Sequence, residues 1–140
     1  MAETDPSADV DGWDATIKVC AISTVLMGIP LKPEQVQREG IRELSIESVQ
    51  KAQASGKPFK LIARAERTEN GVIASVRPEQ VEVGNPLAAI GAASLLAHFE
   101  MDMLPGLTTT LDCPTTGRDG PRIVAYDVLA DFLRAVTRVL

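Results

Sequence analysis

Apolar and polar positions change period several times along this chain of 140 residues, and each change predicts an element. Residues 2 to 12 are polar and read as a loop, with Asp11 or Gly12 placed to cap the first helix. From Trp13 to Met27 the chain is apolar almost all round, the pattern of a buried helix, and Gly28 and Pro30 end it. A short strand is expected around Val36 to Ile41. Ser45 then caps a second helix with a narrow apolar face at Ile46 and Val49, closed by Gly56. At Phe59 the period drops to two. Phe59, Leu61, Ala63 and Ala65 alternate with Lys60, Ile62, Arg64 and Glu66, which predicts a half-buried strand. Asn70-Gly71 suits a type I′ turn, and Val72 to Val76 would be the returning strand. The next residues, through Asn85 and Pro86, read as a connection. Two Leu- and Thr-rich strands come after it, ASLLAHFEMD and Leu107 to Cys113, then a loop from Pro114 to Pro121. Val124, Val128, Phe132, Val136 and Leu140 recur at helical spacing in a closing helix, with Asp131 and Arg134 paired on its polar side.

Helix, strand, helix, hairpin, two strands and helix predict an α+β fold. It would be an antiparallel or mixed sheet with helices packed on one face, an open sandwich. A second copy could close the bare face, so dimerising through the sheet, as a homodimer, is expected. The length suits a single domain over residues 1–140. With 45% hydrophobic and 24% charged residues the composition is globular, and few aromatics leave the core to Leu, Ile, Val and Ala. A net charge of −5 argues against nucleic acid as a partner. The apolar stretches are too short for a membrane span and the start is acidic, which predicts neither a membrane helix nor a signal peptide. Cys20 and Cys113 have no CxxC spacing and read as reduced, buried thiols, in keeping with a cytoplasmic protein.

Chemistry concentrates at the front. AETDPSADVDGWDATIK carries Glu3, Asp5, Asp9, Asp11 and Asp14, closed by Lys18. Asp14 and Lys18 share a helix face at i,i+4, with Asp11 on the same side if it is helical. A charge pair inside an apolar helix is costly unless well paired, so it either fixes a fold or serves a reaction. A salt bridge at the solvent edge of the first turn is the plainer reading. The acidic loop is either a solvated surface or a site for a cationic group such as an amino group. One histidine and no D-x-D-x-D-G run make a metal site unexpected. His98 reads as a packed core residue.

Glu3-Thr4-Asp5-Pro6, then Asp9-Val10, Gly12, Asp14 and Lys18 at fixed, ungapped spacing resemble the signature of the homoserine dehydrogenases. Gly40-Ile41, the Lys60–Ala63 strand and Asn85-Pro86-Leu87-Ala88 match that family in order, with Asn85 where it has His. Ala130-Asp131-Phe132-Leu133 resembles its closing helix. The resemblance implies the substrate-binding and dimerisation domain without its nucleotide-binding domain, because no G-x-G-x-x-G follows a strand. The full enzyme would interconvert L-aspartate 4-semialdehyde and L-homoserine with NAD or NADP, bound mainly by the missing domain. This part alone would be inactive.

Carried over by residue, the resemblance makes Lys18 the acid/base and Asp14 the group that orients it or the substrate hydroxyl. A lysine can serve near neutral pH where burial draws its pKa down. Glu3 and Asp9 would hold the substrate's amino group, though Ala8 stands where the family often has another carboxylate. Gly117 and Gly120 would lie near the cofactor, in a loop that here carries Arg118 and Asp119. A relative acting on another amino or oxo acid, or a non-catalytic dimerisation or amino-acid-binding module, is the alternative.

Overall fold

The computed structural model describes residues 5–91, 94–112 and 120–137. The chain divides into two compact units between Ala89 and Ile90. In the first, α1 (Ser7–Val10) and α2 (Trp13–Leu26) precede a 3-10 turn at Pro33–Gln35 and β1 (Gln37–Arg38). Then come α3 (Ile46–Ala54), β2 (Phe59–Thr68), β3 (Gly71–Gln80) and α4 (Pro86–Ala89). The second unit holds β4 (Ser94–Phe99), β5 (Leu107–Asp112) and α5 (Gly120–Thr137).

The first unit is built on a mixed sheet of order β1-β3-β2, with β1 parallel and β2 antiparallel to β3. Alternation sends Ala74 and Val76 to one face, where α2 packs on β2 and β3. There they meet Val19, Cys20, Leu31 and Val36 in the core. Arg64, Arg77 and Glu79 face the other way, and both arginines bind Glu79 at 2.9 Å. The α+β class is as the pattern predicted, with the strands divided between this mixed sheet and a two-stranded antiparallel sheet, β4-β5, in the second unit.

Helix α2 is not buried all round. Its sheet-facing stripe is Thr16, Val19, Cys20 and Ser23, while Ile17, Ile22, Val25 and Leu26 are exposed. The two buried hydroxyls need no outside partner. Thr16 Oγ1 donates to the Gly12 carbonyl at 2.8 Å and Ser23 Oγ to the Ile29 carbonyl at 3.0 Å. Small side chains with internally satisfied hydroxyls can face a sheet without a desolvation cost. Cys20 is a free, buried thiol, and burial, with a smaller contribution from Glu34, pushes its pKa up.

Other expectations need correction. The stretch read as a loop over 2 to 12 contains α1, because Pro6 is followed by residues whose N–H groups return to the carbonyls of Pro6 and Ser7. In α3 the buried residue is Ala52, whereas Ile46 is exposed and Val49 marginally so. The β2–β3 loop is Glu69-Asn70, one residue earlier than read, since Thr68 pairs with Gly71. Among the described residues only glycines have positive φ, so the turn is not type I′; Gly71, at φ 129°, takes up the twist instead. Strand β3 continues through Pro78 to Gln80, beyond the expected end at Val76. It can because β1 pairs only with Ser75 and Val76, leaving Pro78 at an edge where its missing N–H costs nothing. Pro86 starts α4 in the segment read as a connection, and Asn85 Oδ1 accepts from Leu87 N–H at 2.9 Å. Gly120 and Pro121, expected in a loop, already belong to α5. His98 is an exposed residue of β4, its Nδ1 2.7 Å from Thr108 Oγ1 on β5. The expected Asp131–Arg134 pair forms at 3.9 Å, and Val128 and Phe132 of the apolar stripe are exposed.

The acidic front is tied to this framework by backbone. Ile41 N–H donates to the Val10 carbonyl at 2.8 Å, and Glu39 N–H to the Val76 carbonyl at 2.7 Å. Gly40, between them, lies so close that a Cβ would sit 2.4 Å from Val10 O and 2.7 Å from Asp11 Cα. Gly12, at φ 76°, turns the chain from α1 into α2 against Val76.

Substitutions at two positions probe the fold. Gly40→Ala must push backbone aside and should cost about 2 kcal/mol or more of unfolding free energy, read as a lower urea midpoint; an unchanged midpoint would mean the contact is not made in solution. Ser45 Oγ caps α3 by accepting from Ser48 N–H at 3.1 Å. Ser45→Ala should cost about 1 kcal/mol, and Ser45→Gly only a few tenths.

Candidate active site

Helix α2 presents the two charged residues singled out by the sequence. Lys18 Nζ lies 2.6 Å from Asp14 Oδ2, the i,i+4 partnership that helical geometry dictates. The pair stands on the side of α2 away from the sheet, with Lys18 59% and Asp14 48% exposed. Among the described residues the pair is therefore open to solvent. The ion pair is a surface salt bridge, of a kind worth little to stability in itself. What surrounds it is unusual, since Ile17, Ile22 and Val25 are apolar and exposed on the same helix. A helix apolar on both sides calls for a second covering layer.

Asp9, the expected contact for an amino group, is exposed on α1. It reaches the neighbourhood of α2 only through the corner at Asp11-Gly12. Glu3 and Gly117 lie outside the described residues, as does Cys113. Gly120 is the first residue of α5, in the other unit. Among the described residues no group of three or more His, Cys, Asp or Glu could hold a metal ion. No helix among them is long and apolar enough to cross a membrane.

Asp11 does not join Asp14 on the helix, as its spacing allowed. It closes α1, and its carboxylate is gripped by Arg42. Arg42 Nε donates to Oδ1 at 2.9 Å and Nη2 to Oδ2 at 3.1 Å. Hydrogen bonding to Arg42 holds the Asp11 carboxyl below the usual carboxylate range and raises the guanidinium in turn. Arg38 Nη1 donates to the Asp11 carbonyl, and its guanidinium lies 3.9 Å from the centre of the Trp13 ring. These groups line an open cleft of about 280 Å³ that also meets Glu39 and Glu43, but neither Asp14 nor Lys18. Sequence reasoning missed both arginines. They lie 27 and 31 residues beyond Asp11, too far for any periodicity to connect them.

Could these elements also hold a dinucleotide? Strand β1 leads into α3 through Glu39 to Ser45, and its one glycine, Gly40, is spent on the Val10–Asp11 contact. That turn lacks the glycines a pyrophosphate cradle needs. The β5–α5 connection lies outside the described residues.

Comparison with known proteins agrees with the motif. The family model described as homoserine dehydrogenase matches residues 1–133. A homoserine dehydrogenase of Lactococcus lactis is 32% identical over 98% of this chain, and an NAD(+)-dependent homoserine dehydrogenase of Pseudomonas canavaninivorans is 34% identical over 94%. The chain spans only 31% and 36% of those two proteins. Among solved structures, a homoserine dehydrogenase from S. aureus superposes with a TM-score of 0.74 at 26% identity, over 94% of this chain and 33% of that one. One from Thiobacillus denitrificans gives 0.72 at 31% identity, over 79% and 26%. Motif, fold and relatives coincide: this chain belongs to the homoserine dehydrogenase family.

Proposed function

We propose that this chain is the substrate-binding and dimerisation domain of an oxidoreductase that interconverts L-aspartate 4-semialdehyde and L-homoserine, and that alone it does not turn over. The observation that carries the reading is the Asp14–Lys18 pair in an otherwise apolar outer face of α2, inside the motif shared with the family. A nicotinamide, NAD or NADP, would supply the hydride acceptor and donor. We assign the proton side of the reaction to this chain's residues and the binding of the nicotinamide mainly to a nucleotide-binding domain of the complete enzyme.

Lys18 is the acid/base. In its neutral form Nζ takes the proton from the homoserine hydroxyl, and as the ammonium it returns one to the aldehyde oxygen. Asp14 orients it, and Glu3 and Asp9 hold the substrate's amino group. Gly117 and Gly120 are weaker assignments, near the cofactor. Covering the apolar face around Lys18 would exclude water from the pair. The whole of residues 1–140 is read as one functional domain of a cytoplasmic enzyme, acting as a homodimer through the sheet.

The second reading, a non-catalytic dimerising or amino-acid-binding module, is favoured by the solvent exposure of the pair. A Lys18→Ala substitution in the complete enzyme separates the two. It should lower kcat at least about 100-fold in assays of NAD(P)H formation from homoserine, the usual scale for losing a general acid/base. Wild-type turnover by this variant would end the catalytic reading. The isolated chain, mixed with homoserine and NAD or NADP, should form no reduced nicotinamide.

A further inference from the structure

We propose that Arg42 and Arg38 are positioning residues for the reaction, a clamp that fixes the corner joining Asp9 to Asp14 and Lys18; this rests on the catalytic reading above. The corner is a single turn of chain, Asp11-Gly12, between the helix bearing one assigned contact and the helix bearing the other two. Whatever sets the angle at that turn sets the separation of Asp9 from Lys18. Gly12 itself cannot do so, because a glycine at positive φ is the freest joint a chain offers. The restraint comes from residues 38–42. Arg42 grips both carboxylate oxygens of Asp11, Arg38 donates to the carbonyl of the same residue, and Ile41 N–H holds the carbonyl just before it. Arg38 also stacks on Trp13, the first residue of α2. The two arginines therefore hold the turn from both sides, Asp11 before it and Trp13 after it.

The chemistry of the contact accounts for the residue types. A planar guanidinium matches a carboxylate through two parallel N–H donors and resists rotation, whereas an ammonium offers a point contact that leaves the carboxylate free to swing. The clamp also settles which carboxylate of the acidic run is withheld from a cationic substrate. Asp11 is neutralised by Arg42, so Asp9 is left to meet an amino group without a competing neighbour two residues away.

The test is steady-state kinetics of the complete enzyme carrying Arg42→Ala, Arg42→Lys, Asp11→Asn and Lys18→Ala. Arg42→Ala should lower kcat about 10-fold with the KM for the nicotinamide unchanged, since a misplacement of a fraction of an ångström is felt at the reacting atoms and not at the cofactor. Arg42→Lys should recover only part of that loss. In the Lys18→Ala background Arg42→Ala should cost clearly less than it does in the wild type, because part of what the clamp positions is already gone. Turnover by Arg42→Ala within about twofold of wild type, with unchanged circular dichroism, would overturn the clamp, as would a full additive loss in the double variant. Should Arg42→Ala not fold, Asp11→Asn keeps the shape, removes the charge, and decides in the same way. Full activity of Lys18→Ala would instead overturn the catalytic reading itself.

Discussion

Everything the front of this chain can do depends on one close approach, the packing of Gly40 on the backbone of Val10 and Asp11. No side chain is accommodated between the two segments. Because the contact is backbone on backbone, Ile41 N–H reaches the Val10 carbonyl, while the neighbouring Glu39 N–H donates to the Val76 carbonyl of β3. An acidic segment is thereby hung from the central strand of a sheet. Without that anchor, residues 5 to 12 would be a charged segment, with Asp5, Asp9 and Asp11 and little apolar surface to hold it. With it, α2 starts at a fixed place on β2 and β3, and Asp14 and Lys18 are carried to one side of it.

Much of this was legible. Period-two alternation from Phe59 found β2, the Ser45 cap and Gly56 bounded α3, and the apolar run from Trp13 found α2 to within a residue. These are local signals, carried by neighbours in sequence. The length of β3 was not, because whether a strand tolerates Pro78 depends on how far β1 runs beside it. The exposure of His98 was not, because an apolar neighbourhood in sequence does not say which face a residue takes.

The site divides along the same line. Asp14 and Lys18 are four residues apart on a helix, and the helix alone brings them together. The spacing also allowed Asp11 onto that face, and only a residue 31 positions away explains why it turns elsewhere. The motif held a trace of the anchor without its reason. Gly12 and Gly40-Ile41 were both matched to the family as separate short strings, and in the fold they are the two sides of one contact.

The stripe of α2 that faces the sheet carries its own consequence. Thr16, Val19, Cys20 and Ser23 all face the sheet, and Cys20 is buried beneath the helix, where burial pushes its thiol pKa up. A thiol in that state is a poor nucleophile. Any group added to that sulfur would need room beneath α2, the helix on which Lys18 rides.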